Sequence, residues 1–135
     1  MKANLFSRSL RLALTGAVLT CGATDAFADI RNYEFKLVEP TVKAGPDKTI
    51  AVKLVDKTTG KPVPDAVIFA TRLDMAPDGM QEMATRIERV PGAEPGTYAF
   101  KATFGMAGRW QLSLGAKVQG ETGTVENKLV IQADQ

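Results

Sequence analysis

From Tyr33 onward the chain is a succession of short stretches in which apolar and polar residues alternate, each closed by residues that favour turns. Tyr33, Phe35 and Leu37 alternate, then Ile50, Val52 and Leu54, then Tyr98, Phe100, Ala102 and Phe104, then Trp110, Leu112, Leu114, Ala116 and Val118. A period of two puts every second side chain on one face, the signature of a strand with one buried face. Between the runs stand Lys43-Ala44-Gly45-Pro46-Asp47-Lys48, Lys57-Thr58-Thr59-Gly60-Lys61-Pro62 and the segment Pro91 to Gly96. Ala66 to Leu73 is mostly apolar and reads as a central strand buried on both faces. Thr85, Ile87 and Arg89 predict a shorter strand, and a last one runs from about Thr124 to Gln132. Gln81 to Arg89 leaves room for a helical turn, without an apolar stripe to support it. The expected fold is all-β: an antiparallel β-sandwich of about seven strands, with Trp110 between the sheets.

The start of the chain is of another kind. Lys2, Arg8 and Arg11 precede an apolar run from Leu12 to Gly22, and Ala26-Phe27-Ala28 fits signal peptidase. Residues 1–28 therefore read as a signal peptide preceding the fold, too short for a membrane span, with cleavage expected before Asp29 and release to the periplasm without an integral membrane anchor. A lipoprotein would instead use Cys21, but Thr20 stands where such signals place a small residue such as Gly or Ala. Residues 29–135 suit one domain.

Removing the leader changes the charge argument. It carries three of the seventeen basic residues and one of the fifteen acidic ones, so fourteen of each remain. The neutral remainder has no basic stripe with interleaved aromatics, so a nucleic-acid partner is not expected. It also has no histidine, and the chain's single cysteine is Cys21. That excludes a disulfide, a thiolate nucleophile, a Ser–His dyad and a histidine-based zinc site in the mature part. The expectation is a protein that is not an enzyme.

Chemistry is concentrated in Leu73 to Met83, which holds three of the five methionines. Ala76-Pro77-Asp78-Gly79 has strong turn chemistry, with Met75 and Met80 on its flanks. A tight turn brings its flanks together, so these two thioethers are expected near one another. Met83 follows three residues later, and Met106 lies in Phe104-Gly105-Met106-Ala107-Gly108, between two patterned strands. Thioether sulfur is neutral, soft and never protonated in the working range, so Met75, Met80, Met83 and Met106 are candidate ligands for Cu(I). Asp74, Asp78 and Glu82 are interleaved and could offset the ion's charge, though they lack the oxygen-rich spacing of a calcium loop. Against this stands ordinary packing, since methionine fills irregular gaps and sits well against aromatic rings.

Four stretches together resemble a known family: Val55-Asp56-Lys57-Thr58-Thr59-Gly60-Lys61-Pro62-Val63-Pro64-Asp65-Ala66, then Met75 with Asp78-Gly79-Met80, then Pro95-Gly96-Thr97-Tyr98, and last Phe104-Gly105-Met106-Ala107-Gly108-Arg109-Trp110-Gln111-Leu112. The chain is similar over about Ile50 to Val118 to YtkA-like/FixH-like periplasmic domains. That resemblance implies an Ig-like β-sandwich and an association with copper handling, heavy-metal efflux or oxidase assembly. Its motif methionines fall on Met75, Met80 and Met106; Met83 is added by spacing alone. FixH-like proteins keep a membrane anchor, whereas this chain is expected to lose its leader. Two functions follow: a Cu(I)-binding chaperone or accessory serving a membrane transporter, efflux component or oxidase, or a metal-free Ig-like module docking on such a partner.

Overall fold

The computed structural model describes residues 30–91 and 94–135. The expected leader, its cleavage site and Cys21 lie outside them. Nine strands follow a short 3-10 turn at Ile30–Asn32: β1 (Tyr33–Leu37), β2 (Thr41–Lys43), β3 (Gly45–Asp56), β4 (Val67–Met75), β5 (Met80–Thr85), β6 (Ile87–Val90), β7 (Thr97–Phe104), β8 (Gly108–Lys117) and β9 (Val125–Asp134). A second 3-10 turn, Ala76–Asp78, joins β4 to β5. No described helix is long and apolar enough to cross a membrane.

The strands form two sheets, ordered β1-β3-β7-β6 and β2-β9-β8-β4-β5. This is an Ig-like sandwich, a four-stranded sheet facing a five-stranded one. The first strand is shared: β1 pairs antiparallel with β3, and after Pro40 the chain crosses over so that β2 pairs parallel with β9. The alternation read from the sequence becomes the core. Phe35, Ile50, Val52, Leu54, Tyr98, Phe100 and Phe104 point inward from one sheet, and Leu73, Trp110, Leu112, Leu114 and Ile131 from the other. Each fully buried side chain of this size stabilises the fold by about 1.5–3 kcal/mol relative to exposure.

Four expectations change. Nine strands replace about seven, because the three-residue β2 is too short to show a period and β5 occupies the stretch with room for a helical turn. The β2–β9 pair is parallel in an otherwise antiparallel fold. The cluster Gly45 to Lys48 is not a turn but the bulged start of β3, where the register shifts and Asp47 takes a positive φ of 51°. Nor is β4 buried on both faces: Val67 and Phe69 are each 56% exposed. Phe69 lies on the outer face of its sheet, where its ring covers Gly115 of β8 and would stand 3.2 Å from a β-carbon there. An apolar run reads the same whether a second layer or one folded-over ring covers it.

The turn-rich motifs at the opposite end of the sandwich have a structural account. Gly60 N–H donates to the carbonyl of Asp56, Thr58 N–H to the Asp56 carboxylate at 2.8 Å, and Leu54 N–H to the carbonyl of Gly96. The Tyr98 hydroxyl donates to Val63 O at 2.9 Å and accepts from Ala66 N–H at 3.0 Å. Gly96 has φ +84° and lies against Pro62, 2.3 Å from the proline Cβ if it carried a β-carbon of its own. Gly-Lys-Pro-Val and Pro-Gly-Thr-Tyr thus interlock to fasten the β3–β4 loop.

Candidate metal centre at the methionine end of the sandwich

Pro77 sits in the 3-10 turn, and Gly79 closes it in the left-handed conformation at φ 75°, donating its N–H to Ala76 O. The turn reverses the chain, so Met75 of β4 and Met80 of β5 face each other as register partners. The expected closeness of the turn's flanks is met in the backbone. Met75 has no exposed surface and belongs to the core, and Met80 is half-buried against it. Partners directly opposite in an antiparallel pair share a face.

The 3-10 turn packs on the start of β8. The Asp78 carboxylate accepts from Arg109 N–H and from Arg109 Nε–H, each at 2.8 Å, while Arg109 Nη2 donates to Pro77 O at 2.8 Å. These bonds, the backbone one foremost, hold the Asp78 carboxyl below its ordinary range. Gly108 makes the approach possible: a β-carbon there would lie 2.6 Å from Met75 Cε and 2.8 Å from Asp78 Oδ2. Its φ of +142° is also one that side chains rarely adopt.

Met106 stands two residues before Gly108 in the β7–β8 turn, is 40% exposed, and its carbonyl accepts from Trp110 Nε1–H at 3.1 Å. The Trp110 ring is buried, edge-on to Phe104 at 5.5 Å between centroids. Met75, Met80 and Met106 therefore belong to one end of the sandwich, on elements that meet at Gly108. Met83 lies farther along β5 and is 40% exposed.

Burial separates the two methionines flanking the turn, since Met75 completes the core and Met80 is only partly covered. Two of the three acidic residues beside them are already engaged, Glu82 staying exposed on β5: Asp74 is buried, accepts from Arg72 Nε–H at 2.6 Å and caps Ala76 N–H at 3.0 Å, and Asp78 is clasped by Arg109. Neither is left to neutralise an ion. Among the described residues no group of three or more His, Cys, Asp or Glu comes together as a metal site. Gly108 and Arg109 were inside the quoted motif but were not read as part of the site, since nothing in their spacing shows which turn they would face.

A family pattern described as YtkA-like matches residues 27–115. The chain belongs to the YtkA-like family. The match runs from before β1 to within β8 and includes all four candidate methionines. Among solved structures, the YtkA-like chain is similar to the Lin-41 filamin domain at 18% identity, covering 76% of this chain and 92% of that one, with a TM-score of 0.46. It is similar also to the ZirS C-terminal domain at 15% identity, covering 79% and 68%, again with a TM-score of 0.46. No curated protein matches it.

Proposed function

We propose that this YtkA-like domain holds Cu(I) in the periplasm through the thioethers of Met75, Met80 and Met106, as a chaperone or accessory to an efflux system or oxidase. The observation that supports it is the meeting of the β4–β5 turn and the β7–β8 turn at Gly108, which gathers three thioethers at one end. The donor set fits a soft monovalent ion. Neutral sulfur binds Cu(I) without the loss of a proton, and a chain from Asp29 on without imidazole or thiolate gives Zn(II) and Cu(II) little to hold. Met75, shielded by Gly108 and the 3-10 turn, would be the inner ligand, and exposed Met106 the one reached from solvent. Met83 is the outlying candidate. With Asp74 and Asp78 bound by arginines, exposed Glu82 is the interleaved acid left to offset the ion's charge.

The competing function is the metal-free module docking on a membrane transporter or oxidase. It is favoured by the exposure of Met83 and Met106, since flexible thioethers make an adaptable apolar contact.

Titration of the purified protein with Cu(I) against a competing chelator separates them. Even a supporting group around a metal costs about 10–100-fold in affinity when mutated, so Met75→Leu, Met80→Leu and Met106→Leu should each lose at least that much. Met83→Leu should lose less. Leucine conserves volume, so each variant should cost under about 1.5 kcal/mol in urea unfolding. Alanine is uninformative at Met75, because a buried methionine truncated to alanine loses about 2–5 kcal/mol whether or not it binds metal. A wild-type protein that surrenders all Cu(I) to the chelator would leave the docking function standing.

A further inference from the structure

The methionines at this end of the sandwich differ in what can reach them. Met75 has no exposed surface and lies behind Gly108, and Met80 packs against the core. Met106 is 40% exposed on the β7–β8 turn. It lines an open cleft of about 420 Å³ together with Ala44, Gly45, Pro46, Thr103 and Phe104. Those side chains carry no charge, and a β-carbon on neighbouring Gly105 would meet nothing within 4 Å. The cleft therefore gives a small neutral molecule access to the Met106 thioether.

The turn is held by its main chain and not by that thioether. Trp110 Nε1–H donates to the Met106 carbonyl at 3.1 Å, and buried Phe104 and Trp110 anchor the strands on either side. A chemical change at the end of the Met106 side chain leaves those contacts in place.

We propose that Met106 is a modification site, oxidised to the sulfoxide by a peroxide, and that this step switches off the metal centre. The inference rests on the Cu(I) function proposed above. The sulfur lone pair attacks one peroxide oxygen, so that an S–O bond forms and the O–O bond breaks. Sulfur gives up two electrons and the peroxide takes them. With hydrogen peroxide, the proton of the attacked oxygen passes to the departing hydroxide, which leaves as water. A soft thioether has become a polar group with a hard oxygen donor, which Cu(I) disfavours. On an exposed turn the sulfoxide stays in water, whereas at Met75 it would put a polar group into the core. Met106 is thus the ligand whose oxidation changes the donor set and spares the fold. Met83, equally exposed on β5, is oxidised alongside it.

Treating the purified metal-free protein with dilute hydrogen peroxide and mapping its peptides by mass spectrometry gives the order of oxidation. Met106 and Met83 should gain oxygen about tenfold or more faster than Met75, because a buried group reacts only through local opening. Cu(I) titration against a competing chelator reads the consequence, in Met83→Leu so that Met106 is the exposed sulfur that reacts. Oxidised Met83→Leu should hold Cu(I) about tenfold or more weakly than before treatment, with an unchanged urea midpoint. Methionine sulfoxide reductases should restore the affinity, and peroxide should cause no such loss in Met83→Leu/Met106→Leu. Oxidation of Met75 as fast as Met106, or an oxidised protein that holds Cu(I) as tightly as before, would overturn the proposal. An untreated protein that holds no Cu(I) fails at the earlier step: the metal function falls, and the switch with it, whatever the order of oxidation.

Discussion

Asp78 shows how one side chain can organise a site without being a ligand. Its carboxylate bridges the 3-10 turn to β8 by two bonds from Arg109, and that clasp holds Met75 and Gly108 in contact. The same bonds lower its pKa, so the sign of its contribution to stability is fixed. A carboxyl depressed in the folded state stabilises fully above its unfolded pKa of about 3.9, and the contribution fades as pH falls through the folded value. Asp78→Asn should therefore be less stable than the wild type at neutral pH, and the gap should close in strong acid. Urea unfolding of both proteins at neutral pH and at about pH 2 measures it. A gap that stays constant with pH would mean that the carboxylate's charge is irrelevant to the clasp. Residue identity made the four methionines visible in the sequence, but not their burial. Met75 and Met83 are alike in composition and neighbourhood, and only the pairing of β4 with β5 and β8 sends one into the core and leaves the other on the surface.

Strands and turns divide along the same line. The inward positions of β1, β3, β7 and β8 were legible because an uninterrupted period of two maps directly onto two faces. Where the period broke, reading failed: the bulge opening β3 looked like a turn, and β5 has too few apolar residues to declare itself. Trp110 tests the first class. It is buried, bonded through Nε1 to Met106 O and edge-on to Phe104, so Trp110→Ala should cost about 3–5 kcal/mol in urea unfolding. A loss under about 1 kcal/mol would put the ring outside the core. Gly96 tests the interlocked turns. With φ +84° and Pro62 against it, Gly96→Ala should destabilise by about 2 kcal/mol or more. Pro62→Gly in the same chain should recover only part, since Pro62 Cα and Val63 N, each 3.2 Å from the new β-carbon, still crowd it.

In the whole molecule, the two ends of the sandwich have different tasks. The end built from Gly60, Pro62, Gly96 and Tyr98 is a fastening, and its motif residues are accounted for by hydrogen bonds and close packing. The end built from Met75, Met80, Met106 and Gly108 sets two core-packed thioethers beside one, that of Met106, which packing does not account for because it is exposed on a turn. The fold class followed from pattern; the meeting of the two methionine turns did not, because it depends on how the sheets stack. The central claim is that these sulfurs are the ligands, and X-ray absorption at the copper edge of the Cu(I)-loaded protein tests it most directly. The account predicts a first shell of sulfur alone, with about three scatterers as suits a soft monovalent ion, and one fewer in Met106→Leu. A shell dominated by nitrogen or oxygen, or one unchanged when Met75, Met80 and Met106 are all leucine, would contradict it.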